Sequence, residues 1–150
     1  MTSESGALLE IRNLKKHFQV GGGMFGSMTG KKEYLKAVDG ISLTIEPGTT
    51  YGLVGESGCG KSTTAKMVLM LEEPTDGEIL YEGKDAINAD KEGKRHYKSS
   101  VQAVFQDPWA SLNPRMKVES IIAEPLEVNT TMTRGEIRTK VREILEEVGL

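Results

Sequence analysis

The sequence predicts an α/β fold in which a core of short strands and one glycine-rich loop precedes a helical region. Apolar residues alternate along two segments of the first third, which is typical of strands. A glycine-rich segment then separates a short apolar run from a stretch with helical spacing. From Val118 onwards apolar residues recur at helical spacing as well. The length of 150 residues is a common size for one domain.

The composition excludes several classes of protein. With 37% hydrophobic and 27% charged residues, the chain is too apolar for wholesale disorder. Its net charge of −3 indicates no broad basic surface, so we expect no nucleic acid partner. The apolar runs are too short to span a bilayer, and the first ten residues lack the features of a secretory signal. The single cysteine, Cys59, fits a reducing compartment, and we therefore expect a soluble, intracellular chain.

Three segments in the first third are predicted to form strands. Residues 8–20 contain alternating apolar positions, and residues 38–45 resume that alternation. Residues 49–54 (TTYGLV) are short, β-branched and apolar, so we expect a buried central strand there. Between the first two strands, residues 21–33 are rich in glycine and basic at their end, which predicts a flexible insertion.

The middle of the chain continues this α/β pattern. A helix is predicted to begin at Lys61 and to be ended by Pro74. Residues 78–83 (EILYEG) follow a turn signal and predict a strand, and residues 101–105 predict another. Residues 84–100 are polar and mixed, and they favour no particular element.

The last third is predicted to be helical. Thr133 and Glu136 match the spacing of a capping box, in which two side chains satisfy the free amides at a helix start. One apolar stripe follows, formed by Ile137, Val141, Ile144, Leu145 and Val148.

Residues 55–62 read GESGCGKS and match the phosphate-binding pattern G-x-x-x-x-G-K-[ST]. For a chain of this composition about 0.02 matches are expected by chance, so the alternative of an ordinary glycine-rich turn is disfavoured. The context agrees, because an apolar run precedes the match and a predicted helix follows it.

Each residue type in this loop suits the binding of a nucleoside triphosphate. Glycines allow the backbone to approach a phosphate closely, and successive N–H groups at a helix start form an anion site. Lys61 adds a positive charge for the outer phosphates, and the Ser62 hydroxyl can coordinate Mg²⁺. The predicted nucleotide-binding residues of the loop are Gly55, Glu56, Ser57, Gly58, Cys59, Gly60, Lys61, Ser62, Thr63 and Thr64.

The single cysteine and the two histidines each have a functional and a structural interpretation. Cys59 is either a thiolate activated by Lys61 and the helix start or a small side chain that fills a tight turn, and we favour the second. His17 and His96 have no partners at metal-ligand spacing, so we expect them to be solvated or locally hydrogen-bonded.

Residues 35–63, 73–85 and 104–118 together resemble the ATP-binding subunits of ABC transporters. Within that family, QDPWASLNPRMKV and the insertion at 21–33 look most like the oligopeptide and dipeptide importers. The resemblance implies a P-loop NTPase core of ABC type with an N-terminal β-subdomain over residues 1–105. It also implies the Q-loop and the start of a helical subdomain over residues 106–150.

The resemblance implies roles for residues outside the phosphate loop. Phe18 would stack on adenine, although it also fits a core aromatic at a strand end, and the sequence leaves both open. Gln106 would be the catalytic Q-loop glutamine that contacts Mg²⁺ or the attacking water, and a turn-forming residue is its other interpretation. Trp109 and Leu112 would meet the transmembrane subunits, or else Trp109 packs the helical subdomain onto the core.

The resemblance further implies the setting in which such a chain works. The cofactors would be ATP and Mg²⁺. The partners would be the transmembrane permease subunits and a second ATP-binding subunit, identical or different, at the cytoplasmic face of the cell membrane.

Three motifs of the family do not occur in this sequence: the LSGGQ-like signature, an apolar strand ending in Asp-Glu, and the switch histidine. We therefore interpret the chain as the N-terminal half of an ABC ATPase and expect these 150 residues alone not to turn over ATP. A non-hydrolysing nucleotide-binding or interaction module is the alternative. A GTPase or small-molecule kinase is disfavoured, because no guanine-specific Asn/Thr-Lys-x-Asp motif is present.

Overall fold

The computed structural model describes residues 6–20 and 33–150. The predicted insertion at 21–33 lies outside these ranges, except for Glu33. Contacts within the chain define two compact units, Met1–Gln102 and Ala103–Leu150. The sequence-based boundary at 105/106 stays a prediction.

The first unit contains a four-stranded antiparallel sheet. Its strands are β1 (Leu9–Val20), β2 (Glu33–Ile45), β3 (Asp76–Tyr81) and β4 (Lys84–Asp85), in the spatial order β2-β1-β3-β4. The alternating segments at 8–20, 38–45 and 78–83 therefore lie on β1, β2 and β3, and these strand predictions are confirmed. β1 is central because it pairs with β2 along one edge and with β3 along the other.

The described residues also form four α-helices. The first unit contains α1 (Lys61–Val68) and α2 (Lys91–Ser100), and the second contains α3 (Val118–Asn129) and α4 (Arg134–Glu147). Within the described residues, none of these helices has the length and apolar character needed to cross a membrane.

The boundaries of two helices test the sequence predictions directly. The capping box of α4 is confirmed: the Thr133 N–H donates to the Glu136 carboxylate at 2.7 Å, and the Glu136 N–H donates to the Thr133 hydroxyl at 3.4 Å. α1 ends at Val68, before the predicted stop at Pro74. It ends early because Met70 adopts a left-handed conformation with φ 53°, which breaks the helical hydrogen-bond pattern.

Two predicted strands are absent from the described structure. Residues 49–54 are exposed and have no pairing strand, and residues 101–105 are also unpaired. The side chains of Val54 and Val104 are 89% and 91% exposed, so the expected buried central strand at 49–54 is wrong for this chain. A strand forms only where a neighbour satisfies its N–H and C=O groups, and no described strand lies beside either segment.

The core of the first unit lies where the sheet meets α1 and α2. Its buried side chains come from all of these elements and from the segment after β4. They are Ile11, Leu14, Val38, Met67, Ile79, Ala86 and Tyr97.

Tyr97 anchors α2 to α1 inside this core. Its side chain is 2% exposed, and its hydroxyl donates a hydrogen bond of 2.6 Å to the Val68 carbonyl at the end of α1. Its ring meets the Tyr81 ring edge-on, with 5.5 Å between centroids. Burial raises the pKa of Tyr97 to about 12, because a phenolate would lose its hydration there.

We predict that Tyr97→Phe lowers the free energy of unfolding by about 1 kcal/mol at pH 7, because the Val68 carbonyl loses its donor. The folded pKa lies near 12 and an unfolded tyrosine ionises near 10, so the parent loses stability as the pH rises between these values. Relative to Tyr97→Phe, that loss approaches about 1.4 kcal/mol per pH unit. Urea unfolding at pH 7, 10 and 11 measures both effects.

The matched control is Tyr81→Phe, since the Tyr81 hydroxyl makes no hydrogen bond within the part of the chain that the structure describes. Equal unfolding free energies for the parent and Tyr97→Phe at all three pH values would contradict the assignment.

Candidate functional site

The phosphate-loop pattern leads directly into α1, as the sequence predicted. Gly60 is the N-cap of α1, and the first helical hydrogen bond runs from the Thr64 N–H to the Gly60 carbonyl at 2.9 Å. The N–H groups of the first helical turn have no acceptor within the helix. The start of α1 therefore offers amide donors together with the positive end of the helix dipole, and no acidic residue lies in its first turn.

Gly60 is required where the loop packs against β2. Its φ is +97°, a conformation that side chains disfavour. A Cβ on Gly60 would overlap the Ala37 carbonyl oxygen and would lie 3.2 Å from the Val38 side chain. The C-terminal end of the loop thus contacts the sheet backbone directly, which fixes the start of α1 relative to β2.

Gly55 and Cys59 form the tight part of the loop. A Cβ on Gly55 would lie 2.7 Å from the Cys59 sulfur. The Cys59 N–H donates to the Glu56 carbonyl at 3.4 Å. This contact favours the interpretation of Cys59 as a small side chain in a tight turn, although its thiol is exposed.

Lys61 lies inside the curve of the loop. Its ammonium donates to the Gly55 carbonyl at 2.8 Å and to the Glu56 carbonyl at 2.6 Å, and it lies 3.6 Å from the Cys59 sulfur. Within the described residues no carboxylate pairs with it. Because carbonyl dipoles orient the ammonium but do not neutralise it, the positive charge remains available to an anion.

The three hydroxyl residues that follow Lys61 differ in their surroundings. Thr64 is buried, and its hydroxyl donates to the Gly60 carbonyl at 3.0 Å, so it stabilises the first turn of α1. Ser62 is exposed and Thr63 is half-buried. The predicted roles of Ser62 as a metal ligand and of Thr63 and Thr64 as phosphate donors stay predictions.

Phe18 lies on β1 in the same unit as the phosphate loop. It is half-buried and pairs with Leu35 of β2, two residues before the Ala37 that contacts Gly60. The backbone of Phe18 therefore lies one strand across and two residues along from that contact. This placement is compatible with the predicted contact to adenine, which stays a prediction.

Lys16 is a residue near the candidate site that sequence analysis missed. Its ammonium lies 5.0 Å from the centroid of the Phe18 ring and 2.6 Å from the Glu72 carboxylate. Residues i and i+2 of a strand point to the same face, so the pairing of Lys16 with Phe18 could have been found from β1 alone. The partner Glu72 is distant in sequence, and no local pattern indicates it.

Gln106 and Trp109 lie in the second unit. Gln106 is exposed in a bend that precedes a short 3-10 turn, Trp109–Ser111. The Trp109 side chain is 83% exposed, so within the described residues it does not serve as a core aromatic. The catalytic role of Gln106 and the docking roles of Trp109 and Leu112 stay predictions.

The ABC transporter family model matches residues 38–150 of this chain. The dipeptide transport ATP-binding protein DppF of Haemophilus influenzae is 46% identical over 98% of this chain. DppF of Escherichia coli is 43% identical over 95% of this chain. The chain spans 44% and 42% of the lengths of these two relatives, respectively.

Solved structures show the same fold. The ATP-binding cassette MJ0796, in a dimeric post-hydrolysis state with ADP and Pi, gives a TM-score of 0.72 at 24% identity. That match covers 95% of this chain and 57% of the cassette. CbiO1 of Clostridium perfringens, part of the ABC transporter complex CbiONQ, gives a TM-score of 0.65 at 26% identity and covers 96% of this chain and 51% of CbiO1.

We predict that Gly60→Ala lowers the free energy of unfolding by more than about 2 kcal/mol, because the new Cβ overlaps the Ala37 carbonyl in addition to the cost of a positive φ. Gly48→Ala is the matched control, since Gly48 has φ +71° but open space around its Cα. It is expected to cost only about 1 kcal/mol. Urea unfolding measures both, and equal losses in the two variants would contradict the close packing of Gly60.

Proposed function

Because this chain belongs to the ABC transporter family, we propose that it binds magnesium-bound ATP through residues 55–64. In this proposal the chain is part of the energy-coupling subunit of an importer of dipeptides or oligopeptides. The arrangement of Lys61 carries the proposal. An ammonium that two loop carbonyls orient, with no carboxylate partner among the described residues, lies next to the free amides of a helix start.

The loop has the shape that a polyphosphate requires. A Cβ at Gly60 would meet the sheet, and one at Gly55 would meet the Cys59 sulfur, so the backbone follows a path that other residue types obstruct. In a glycine-rich turn at a helix start, successive N–H groups can form a concave anion site, and we propose that the free N–H groups here bind phosphate oxygens. The Lys61 ammonium is a point charge on a flexible stem, so it can attract the outer phosphates without requiring one hydrogen-bond geometry.

Magnesium fits beside this loop through an oxygen ligand. The exposed Ser62 hydroxyl follows Lys61 on the first turn of α1, and hard oxygen donors of this kind suit Mg²⁺. Bound there with phosphate oxygens, the ion would neutralise phosphate charge. Gln106 would supply a neutral carboxamide that contacts the ion or the attacking water.

The names of the relatives support a role in peptide import for the whole protein. The matched proteins include dipeptide and oligopeptide transport ATP-binding proteins, at 42–46% identity over nearly the entire chain. We propose that the complete protein is an ABC-type ATPase that lies at the cytoplasmic face of the membrane. Its partners would be transmembrane permease subunits and a second ATP-binding subunit, and exposed Trp109 and Leu112 would suit the contact with the permease.

We predict that Lys61→Ala weakens the binding of magnesium-bound ATP by about ten- to 150-fold, because one charge-assisted contact contributes about 1.5–3 kcal/mol. Lys66→Ala removes the same charge from the exposed surface of the same helix and is expected to leave the affinity within about twofold. Titration calorimetry with Mg²⁺ present measures all three proteins. Equal affinity in the parent and Lys61→Ala would refute the site.

We predict that Phe18→Ala weakens the binding of ATP, ADP and GTP to similar extents. Stacking on an aromatic ring tolerates any base and contributes about 1–3 kcal/mol. Fluorescent analogues of the three nucleotides, displaced by the natural ones, measure the effect. If the affinities stay unchanged, Phe18 is a structural residue of β1, and the exposed Tyr34 becomes the aromatic to test next.

A further inference from the structure

We propose that Lys16 is a positioning residue for the nucleotide base: it fixes the Phe18 ring and connects that ring to the end of the phosphate-binding helix α1. This inference rests on the proposed binding of ATP. It assigns a role to Lys16 and Glu72, neither of which belongs to the phosphate-loop pattern.

The Lys16 side chain is held at three points. Its ammonium donates to the Glu73 carbonyl at 2.7 Å, pairs with the Glu72 carboxylate at 2.6 Å, and lies 5.0 Å from the Phe18 ring centroid. The side chain is only 14% exposed, so solvent screens these contacts less than it would at the surface. These contacts restrict the positions open to the ammonium, and its attraction to the Phe18 ring favours one orientation of that ring.

The other end of this link belongs to the helix that follows the phosphate loop. Glu72 lies just after α1, and the N–H groups of Leu71 and Glu72 both donate to the Lys66 carbonyl inside that helix, at 2.9 Å and 3.2 Å. Lys16 itself pairs with Val38 of β2, the residue whose side chain lies beside Gly60. The Lys16–Glu72 pair therefore connects β1 to the C-terminal end of α1, while Gly60 connects β2 to its N-terminal end.

The physical consequence is a fixed distance between the ring and the phosphate loop. An ammonium over one face of Phe18 is attracted by the negative charge of that face, so a base would have to stack on the opposite face. A ring that is already oriented loses little side-chain entropy when a base stacks on it. Glu72 balances the lysine charge, so the effect of Lys16 is positional and does not come from general attraction of phosphate.

The test distinguishes the contribution of the base to binding affinity from that of the phosphates. The parent, Lys16→Met and Glu72→Gln are titrated with magnesium-bound ATP and, in parallel, with magnesium-bound tripolyphosphate, which has no base. Lys16→Met keeps the aliphatic stem and removes the charge. Lys15→Met is the matched control, because Lys15 is the adjacent residue of β1 and pairs with Asp76 at 2.8 Å.

We expect Lys16→Met to weaken the binding of ATP by about two- to tenfold and the binding of tripolyphosphate by less than twofold. Glu72→Gln should weaken ATP binding by a smaller factor. Lys16→Arg, which retains the charge, should restore most of the affinity. In a Phe18→Ala background the same Lys16→Met change should have no further effect, because the ring through which it acts is absent. Circular dichroism checks that each variant folds. If Lys16→Met does not fold, the affinities of Glu72→Gln for ATP and tripolyphosphate are compared with those of the parent instead.

The outcomes distinguish this inference from the proposed function. If the parent shows no Lys61-dependent binding of magnesium-bound ATP, the proposed function fails. If that binding is present, three results overturn the role of Lys16 alone. These are an unchanged ATP affinity in both Lys16→Met and Glu72→Gln, equal weakening of ATP and tripolyphosphate, or an effect that persists in the Phe18→Ala background.

Discussion

The close contact between Gly60 and the backbone of β2 is the constraint on which the candidate site depends. A residue with a side chain would force the backbone to shift at this position, because its Cβ would overlap the Ala37 carbonyl. The neighbouring Val38 is buried in the core with Met67 of α1, so the start of the helix is fixed by backbone contact and the body of the helix by apolar packing. The amides and the dipole of α1 therefore have a defined direction before any ligand binds.

The two lysines at the candidate site have different partners. Lys61 is oriented by loop carbonyls, whereas Lys16, at the other end of the proposed base-to-phosphate link, is neutralised by Glu72. The two lysines thus differ in what they offer an anion. The Lys61 charge, which carbonyl dipoles orient, can still attract a phosphate. The Lys16 charge, which is paired with a carboxylate, chiefly fixes the position of the side chains around it.

The sequence predicted the elements that local patterns specify. The strands β1 and β2 follow alternation, and the capping box of α4 follows from two residues three positions apart. The phosphate-binding pattern at 55–62 could be recognised because its glycines, lysine and hydroxyl are close together in the chain. Residues 49–54 have strand composition but no partner in the described structure, and strand formation depends on a partner that composition does not reveal. The link between Lys16 and Glu72 was missed for the same reason, since it joins distant segments.

The unpaired segment 49–54 changes how the phosphate loop is held. The C-terminal side of the loop is fixed by Gly60 and α1, but the N-terminal side follows Leu53 and Val54, which are exposed. The two hydrogen bonds from Lys61 reach the carbonyls of Gly55 and Glu56, so they connect this exposed side to the start of α1. A phosphate that draws the ammonium away competes with these bonds, and the loop must then be held by the phosphate contacts themselves. A strand that paired with residues 49–54 would fix the N-terminal side of the loop independently of Lys61, so the loop would keep its position when the ammonium turns to the phosphate.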